Sequence, residues 1–80
     1  MNTQELTTLI KLRLDIALGC FNTQAIVTSD KETLMREFRC FQSQLVFARD
    51  LIGSYDGQTI YDQYRRDAFL ILKGRMDALK

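Results

Sequence analysis

Residues 34–52 read LMREFRCFQSQLVFARDLI, and the spacing of their apolar members decides the fold. Leu34, Phe38, Phe41, Leu45, Ala48 and Ile52 are separated by four, three, four, three and four residues, and Tyr55 extends the series by one more step. At 100° per residue the side chains from Leu34 to Ile52 fall within about 80° of one another, forming a seam along one side of a helix made for burial. The rest of the chain reads as helices packed on this one.

Signals on either side set the limits of that helix. Ser29 followed three residues on by Glu32 has the form of a capping box, and Asp30 adds a negative charge to the first turn. At the other end, Gly53 stops the helix and Ser54-Tyr55-Asp56-Gly57 reads as a turn. The central helix therefore covers about 30–53. Upstream, Asn2 with Glu5 three residues later marks the start of a first helix, whose broad apolar face is Leu6, Leu9, Ile10, Leu14, Ile16 and Ala17. Its end has two readings. Gly19 is either a C-cap before a loop at 20–28, or a weak point in a helix that continues to about Val27. Continuation is favoured, because Phe21 keeps to the same face and three helices of similar length pack without overhang. The third helix is expected from Gln58 or Thr59 to about Leu79, with Tyr61, Tyr64, Ala68, Ile71, Leu72 and Leu79 inward. Lys11 with Asp15, Glu32 with Arg36, Asp62 with Arg66 and Lys73 with Asp77 are spaced for ion pairs on the outer faces. Short connections make neighbouring helices antiparallel, so the fold class is all-α: a single domain over 1–80, built as an up-down-up three-helix bundle.

Composition excludes several classes. The chain has 80 residues, eleven basic and ten acidic, for a net charge of +1, with neither histidine nor tryptophan. The charge balance argues against a dedicated nucleic-acid domain. A zinc site needs about four clustered Cys or His ligands, and Cys20 and Cys40 are the only such residues. Both fall among apolar neighbours and are expected to be buried or half-buried reduced thiols. The longest apolar run, residues 68–72, is too short to span a membrane. Residues 17–20, Ala-Leu-Gly-Cys, loosely resemble a bacterial lipoprotein cleavage site, but the apolar region before them is short and interrupted by Lys11, Arg13 and Asp15. A cytoplasmic location is the expectation.

No catalytic motif stands out. Without histidine there is no His-Cys or His-Ser arrangement, Gly53 and Gly57 do not form a phosphate-cradling loop, and the acids sit at spacings that pair them with bases. The expectation is that the chain is not an enzyme and takes no cofactor or metal.

What remains is surplus apolar surface. Beside its seam the central helix carries a second line, Cys40, Phe47 and Leu51, and a third, Met35 and Val46. Either the other two helices cover all of these lines or another chain covers part of them. On the third helix Leu70 stands on the polar side among Gln63, Arg66, Lys73 and Asp77. Arg13 lies near the middle of the first helix's apolar face. Its stem packs there while the guanidinium reaches water or a carboxylate, or else it meets a partner. These features point to a small interaction module, such as an adaptor, inhibitor, regulatory subunit or assembly chaperone. It would bury an apolar helix face against another protein or a second copy of itself. The expected contact set is Phe47, Leu51 and Leu70, with Arg65, Arg66 and Arg13 at the rim. The alternative is a nucleic-acid-binding regulator using Arg36, Arg39, Arg65 and Arg66.

Overall fold

The computed structural model describes residues 2–79. Three helices, α1 (Thr3–Val27), α2 (Lys31–Ile52) and α3 (Ser54–Ala78), pack pairwise against one another, and the described residues contain no strand. The result is an elongated up-down-up bundle of 45 × 18 × 15 Å. No helix is long and apolar enough to cross a membrane.

The seam of α2 is the core. Leu34, Phe38, Phe41, Leu45 and Ala48 are buried, and Ile52 packs against them at the edge. α1 contributes Ile10, Leu14, Phe21 and Ala25, and α3 contributes Ile60, Tyr64, Ala68 and Leu72. The Phe21 ring sits 6.0 Å, centroid to centroid, from both Phe38 and Phe41, tilted on the first and stacked on the second. α1 continues to Val27, as the helical register of Phe21 requires, and Gly19 lies within it.

The cap of α1 forms as expected: Asn2 Oδ1 accepts the Glu5 amide at 2.8 Å. The cap of α2 is shifted by one residue from the expected Ser29. Asp30 is the N-cap, in an extended conformation, and its carboxylate accepts the Thr33 amide at 3.1 Å together with the Thr33 hydroxyl. A carboxylate offers two acceptor oxygens to a donor pair that one serine hydroxyl cannot serve equally. The Thr33 hydroxyl, followed by the Thr33 amide, holds the Asp30 carboxyl below its ordinary value of 3.8. A depressed folded-state pKa stabilises the fold above the ordinary value, and that contribution is lost as pH falls through the lowered one. Asp30→Ala is therefore expected to lower the urea midpoint at pH 7. The gap to the parent chain should close in acid, and an undiminished gap at pH 2 would contradict this role.

The joint between α2 and α3 also differs from expectation. Instead of a turn over residues 54–57 and a helix from Gln58, one residue, Gly53, makes the whole connection, and α3 begins at Ser54. Gly53 has φ +70° and ψ −173°, a combination that side-chain-bearing residues rarely adopt. Its amide donates to the Arg49 carbonyl at 2.9 Å and its carbonyl accepts the Gly57 amide at 3.0 Å, so a single glycine ends one helix and starts the next. Because the axis reverses there, Tyr55 leaves the seam and is 84% exposed, not a further step of it. Gly57 is buried, and a Cβ placed on it would stand 2.6 Å from the Arg49 carbonyl oxygen. The absent side chain is what lets α3 lie directly on the last turn of α2.

Polar links at the margin of the core join α1 to α3. The buried Tyr64 hydroxyl donates to the Asp15 carboxylate and approaches the Lys11 carbonyl at 3.3 Å. Asp15 thus turns toward α3, away from the expected pairing with Lys11. Desolvation first, and the neighbouring carboxylate second, push the phenol well above its usual range. Tyr64→Phe is expected to cost roughly 1–2 kcal/mol in a urea titration, because a charged acceptor loses its donor while the ring packing is kept. On the α2–α3 side, the Arg49 guanidinium lies 4.8 Å from the Tyr61 ring centroid and 3.3 Å from Asp50 Oδ1. Asp62 accepts from Gln58 at 2.9 Å, where Arg66 was the expected partner. At the far end Arg75 Nη2 donates to the Thr28 carbonyl at 3.1 Å, placing a cation at the C-terminus of α1.

Candidate functional site

The outward side of the α1–α2 contact carries the residues of interest. Leu6, Leu9, Ile10, Arg13 and Leu14 of α1 face Ser43, Gln44, Phe47, Ala48 and Leu51 of α2 across a hollow of about 560 Å³. The floor, made by Ile10, Leu14 and Ala48, is core. The walls are open: Phe47 is 68% and Leu51 50% exposed. The helical register explains why. α2 turns Leu45 and Ala48 toward the bundle axis, and Phe47, about 100° around the helix from Ala48, stands at the edge of the α1–α2 contact with its ring open to solvent.

A second hollow, of about 510 Å³, continues along the same face, lined by Arg13, Ile16, Ala17, Cys20, Phe21 and Gln24 of α1 and by Glu37, Cys40, Phe41 and Gln44 of α2. Arg13 and Gln44 line both hollows and form the ridge between them. Cys20 and Cys40, expected to be buried or half-buried, are free but exposed, because each stands about 100° from its buried neighbour, Phe21 or Phe41, on the side turned to solvent. The first hollow is mostly apolar and the second mixed, with Gln24 and Glu37 on its walls beside the Arg13–Gln44 ridge, a surface suited to a side chain or helix laid across it. Among the described residues no group of three or more His, Cys, Asp or Glu is arranged to hold a metal ion.

The structure brings together three of the six residues expected at the contact, Phe47, Leu51 and Arg13. The other three are on α3. Arg65 and Arg66 line a shallow hollow with Asp62 and Phe69, and Leu70 is 61% exposed. These α3 residues point away from the α1–α2 groove and share no hollow with it. Arg39 lines a separate shallow depression on α2 with Gln42, Ser43 and Val46, so the arginines of the nucleic-acid alternative do not gather in one hollow.

The first helix holds what was not anticipated. Leu9 and Ile16, placed on its buried face by the sequence reading, are exposed, as are Leu12, Ile26 and Val27. α1 carries apolar residues on two opposite faces, so no single stripe stands out, and the choice between them is made only by where α2 and α3 sit. Comparison with known protein families, with curated proteins and with solved structures finds no match to this chain.

Proposed function

We propose that the chain is a small, non-catalytic, cytoplasmic interaction module that binds another protein by burying the outward α1–α2 face. The reading rests on one observation: Phe47 and Leu51 stand exposed beside an apolar hollow whose floor is the core itself. In this mode a partner's apolar side chain or amphipathic helix fills the hollow between Leu9 and Phe47. Arg13 and Gln44 then orient the partner through polar contacts at the ridge, with Arg13 setting the approach of acidic groups. Free exposed thiols at Cys20 and Cys40 suit a reducing compartment.

The test is affinity capture from the source cell, with the parent chain and Phe47→Asp run side by side at low and high salt. Phe47 contributes little to the core, so the variant should retain its helical circular dichroism. The expected result is a captured protein that survives high salt and disappears with Phe47→Asp. Capture unaffected by the substitution would remove the groove from consideration. Binding to nucleic acid that collapses as salt rises would favour the arginine alternative.

A further inference from the structure

α1 carries two helical faces, and the fold uses one. Leu14, Phe21 and Thr28, seven residues apart, are buried toward the bundle axis. On the opposite side lie Leu9, Leu12, Ile16, Gly19, Thr23 and Ile26, separated by three, four, three, four and three residues. That is the heptad spacing of a coiled-coil seam, spanning residues 9–26, about 26 Å of helix. None of the six is buried, and Ile16 and Ile26 are each 62% exposed. Leu9 and Ile16 also border the α1–α2 hollows, whereas Leu12, Gly19, Thr23 and Ile26 line neither.

We propose that a second copy of this chain covers the seam, with the two α1 helices antiparallel about a point between Ala17 and Leu18. The order of large and small side chains carries the argument. In that alignment positions whose numbers sum to 35 meet: Leu9 on the partner's Ile26, Leu12 on the partner's Thr23, and Ile16 on the partner's Gly19. Each large residue of the inner layers then faces a smaller one, and Gly19, with nothing within 4 Å of where its Cβ would stand, offers the space that Ile16 fills. A parallel alignment would set Gly19 on Gly19 and Ile16 on Ile16, leaving a void in one layer and crowding in another. The seam has no charged residue, so a copy meets no repulsion along it.

The size also fits. Leu9, Leu12, Ile16, Ile26 and Val27, exposed by 44% to 69%, leave on the order of 500 Å² of apolar surface open per copy, close to the apolar share of the roughly 800 Å² per partner that a standard interface buries. The contact is isologous and closes on itself, giving a dimer and not a filament. It adjoins the groove at Leu9 and leaves Phe47 and Leu51 open. The inference rests on the reading of exposed apolar surface as contact surface and shares Leu9 and Ile16 with the hollows, but Phe47 and Leu51 lie outside the seam and Leu12, Gly19, Thr23 and Ile26 lie outside the hollows, so either can fail alone.

Sedimentation equilibrium on the intact chain across about 1–200 μM tests it, with the mass expected to rise from 9.3 kDa toward twice that value. Ile16→Asp is expected to stay monomeric throughout with unchanged circular dichroism. Gly19→Leu has room in a single chain yet overpacks the partner's Ile16, so it should weaken the dimer at least tenfold while the monomer stays folded. Orientation is read in a background with Cys20→Ala and Cys40→Ala. Mild oxidation should cross-link a mixture of Leu12→Cys and Thr23→Cys chains, but not Leu12→Cys alone. A monomer at every concentration, a dimer indifferent to both Ile16→Asp and Gly19→Leu, or cross-linking of Leu12→Cys with itself would each overturn the proposal. A dimer abolished by Phe47→Asp and untouched by Ile16→Asp would also overturn it, and would assign self-association to the groove.

Discussion

Gly57→Ala is expected to destabilise the bundle by about 2 kcal/mol or more, although alanine is the better helix former. A methyl group there meets the Arg49 carbonyl oxygen at 2.6 Å, and the atom it meets is backbone, not the tip of a flexible side chain. Relief requires α2 and α3 to part where they are tethered by one residue. Overpacking of this kind costs about 1–3 kcal/mol or more, against a propensity gain of at most about 1 kcal/mol. Gly74→Ala supplies the control, since nothing lies within 4 Å of its added Cβ. It should stabilise by about 0.5–1 kcal/mol, so the same substitution on the same helix is expected to have opposite signs at two sites. Urea midpoints of the two variants measure this, and a stabilised Gly57→Ala chain would mean that the helices do not approach as closely as described.

Phe21→Ala is expected to be the more damaging of the two largest effects, at roughly 3–5 kcal/mol. The ring is buried between Phe38 and Phe41, and its removal leaves both without their contact across the α1–α2 interface. A domain of this length has a total stability of about 4–12 kcal/mol, so the variant should be partly unfolded at 25 °C or close to it. Thermal melts by circular dichroism give the answer, with Phe21→Leu as the companion that keeps most of the volume. A loss under about 1 kcal/mol for the alanine variant would show that α1 is not anchored through this residue.

The sequence carried the helices well and their joints poorly, for a physical reason. Burial of a seam depends on periodicity over many residues, and Leu34 to Ala48 repeats often enough to be unmistakable. A joint depends on the φ and ψ of one or two residues. Ser29 and Asp30 are both good caps by type, and only the extended conformation at Asp30 and its bonds to Thr33 separate them. Gly53 and Gly57 looked like the two ends of one turn, whereas one reverses the chain and the other admits a neighbouring helix. The candidate site was legible where it concerned Phe47 and Leu51, whose angles on α2 put them beside the seam and not in it. It was not legible on α1, where Leu9 and Ile16 are as apolar as Ile10 and Leu14, and only the positions of the other helices decide which pair faces solvent. Arg65, Arg66 and Leu70, read on the third helix, were grouped with Phe47 by residue type alone, and the bundle gives them no hollow in common with it.

The brevity of the two joints, residues 28–30 and Gly53, bears on how long the molecule lasts in a cell. Proteases nick folded proteins at exposed loop tips, and between its helices this chain offers almost none. Cleavage there must wait until a helix opens, so turnover follows the population of the open form. Each change of about 1.4 kcal/mol in stability then alters that population tenfold. A Gly57→Ala chain losing about 2 kcal/mol should be digested roughly thirtyfold faster than its parent under limiting protease. Survival time becomes a measure of helix packing.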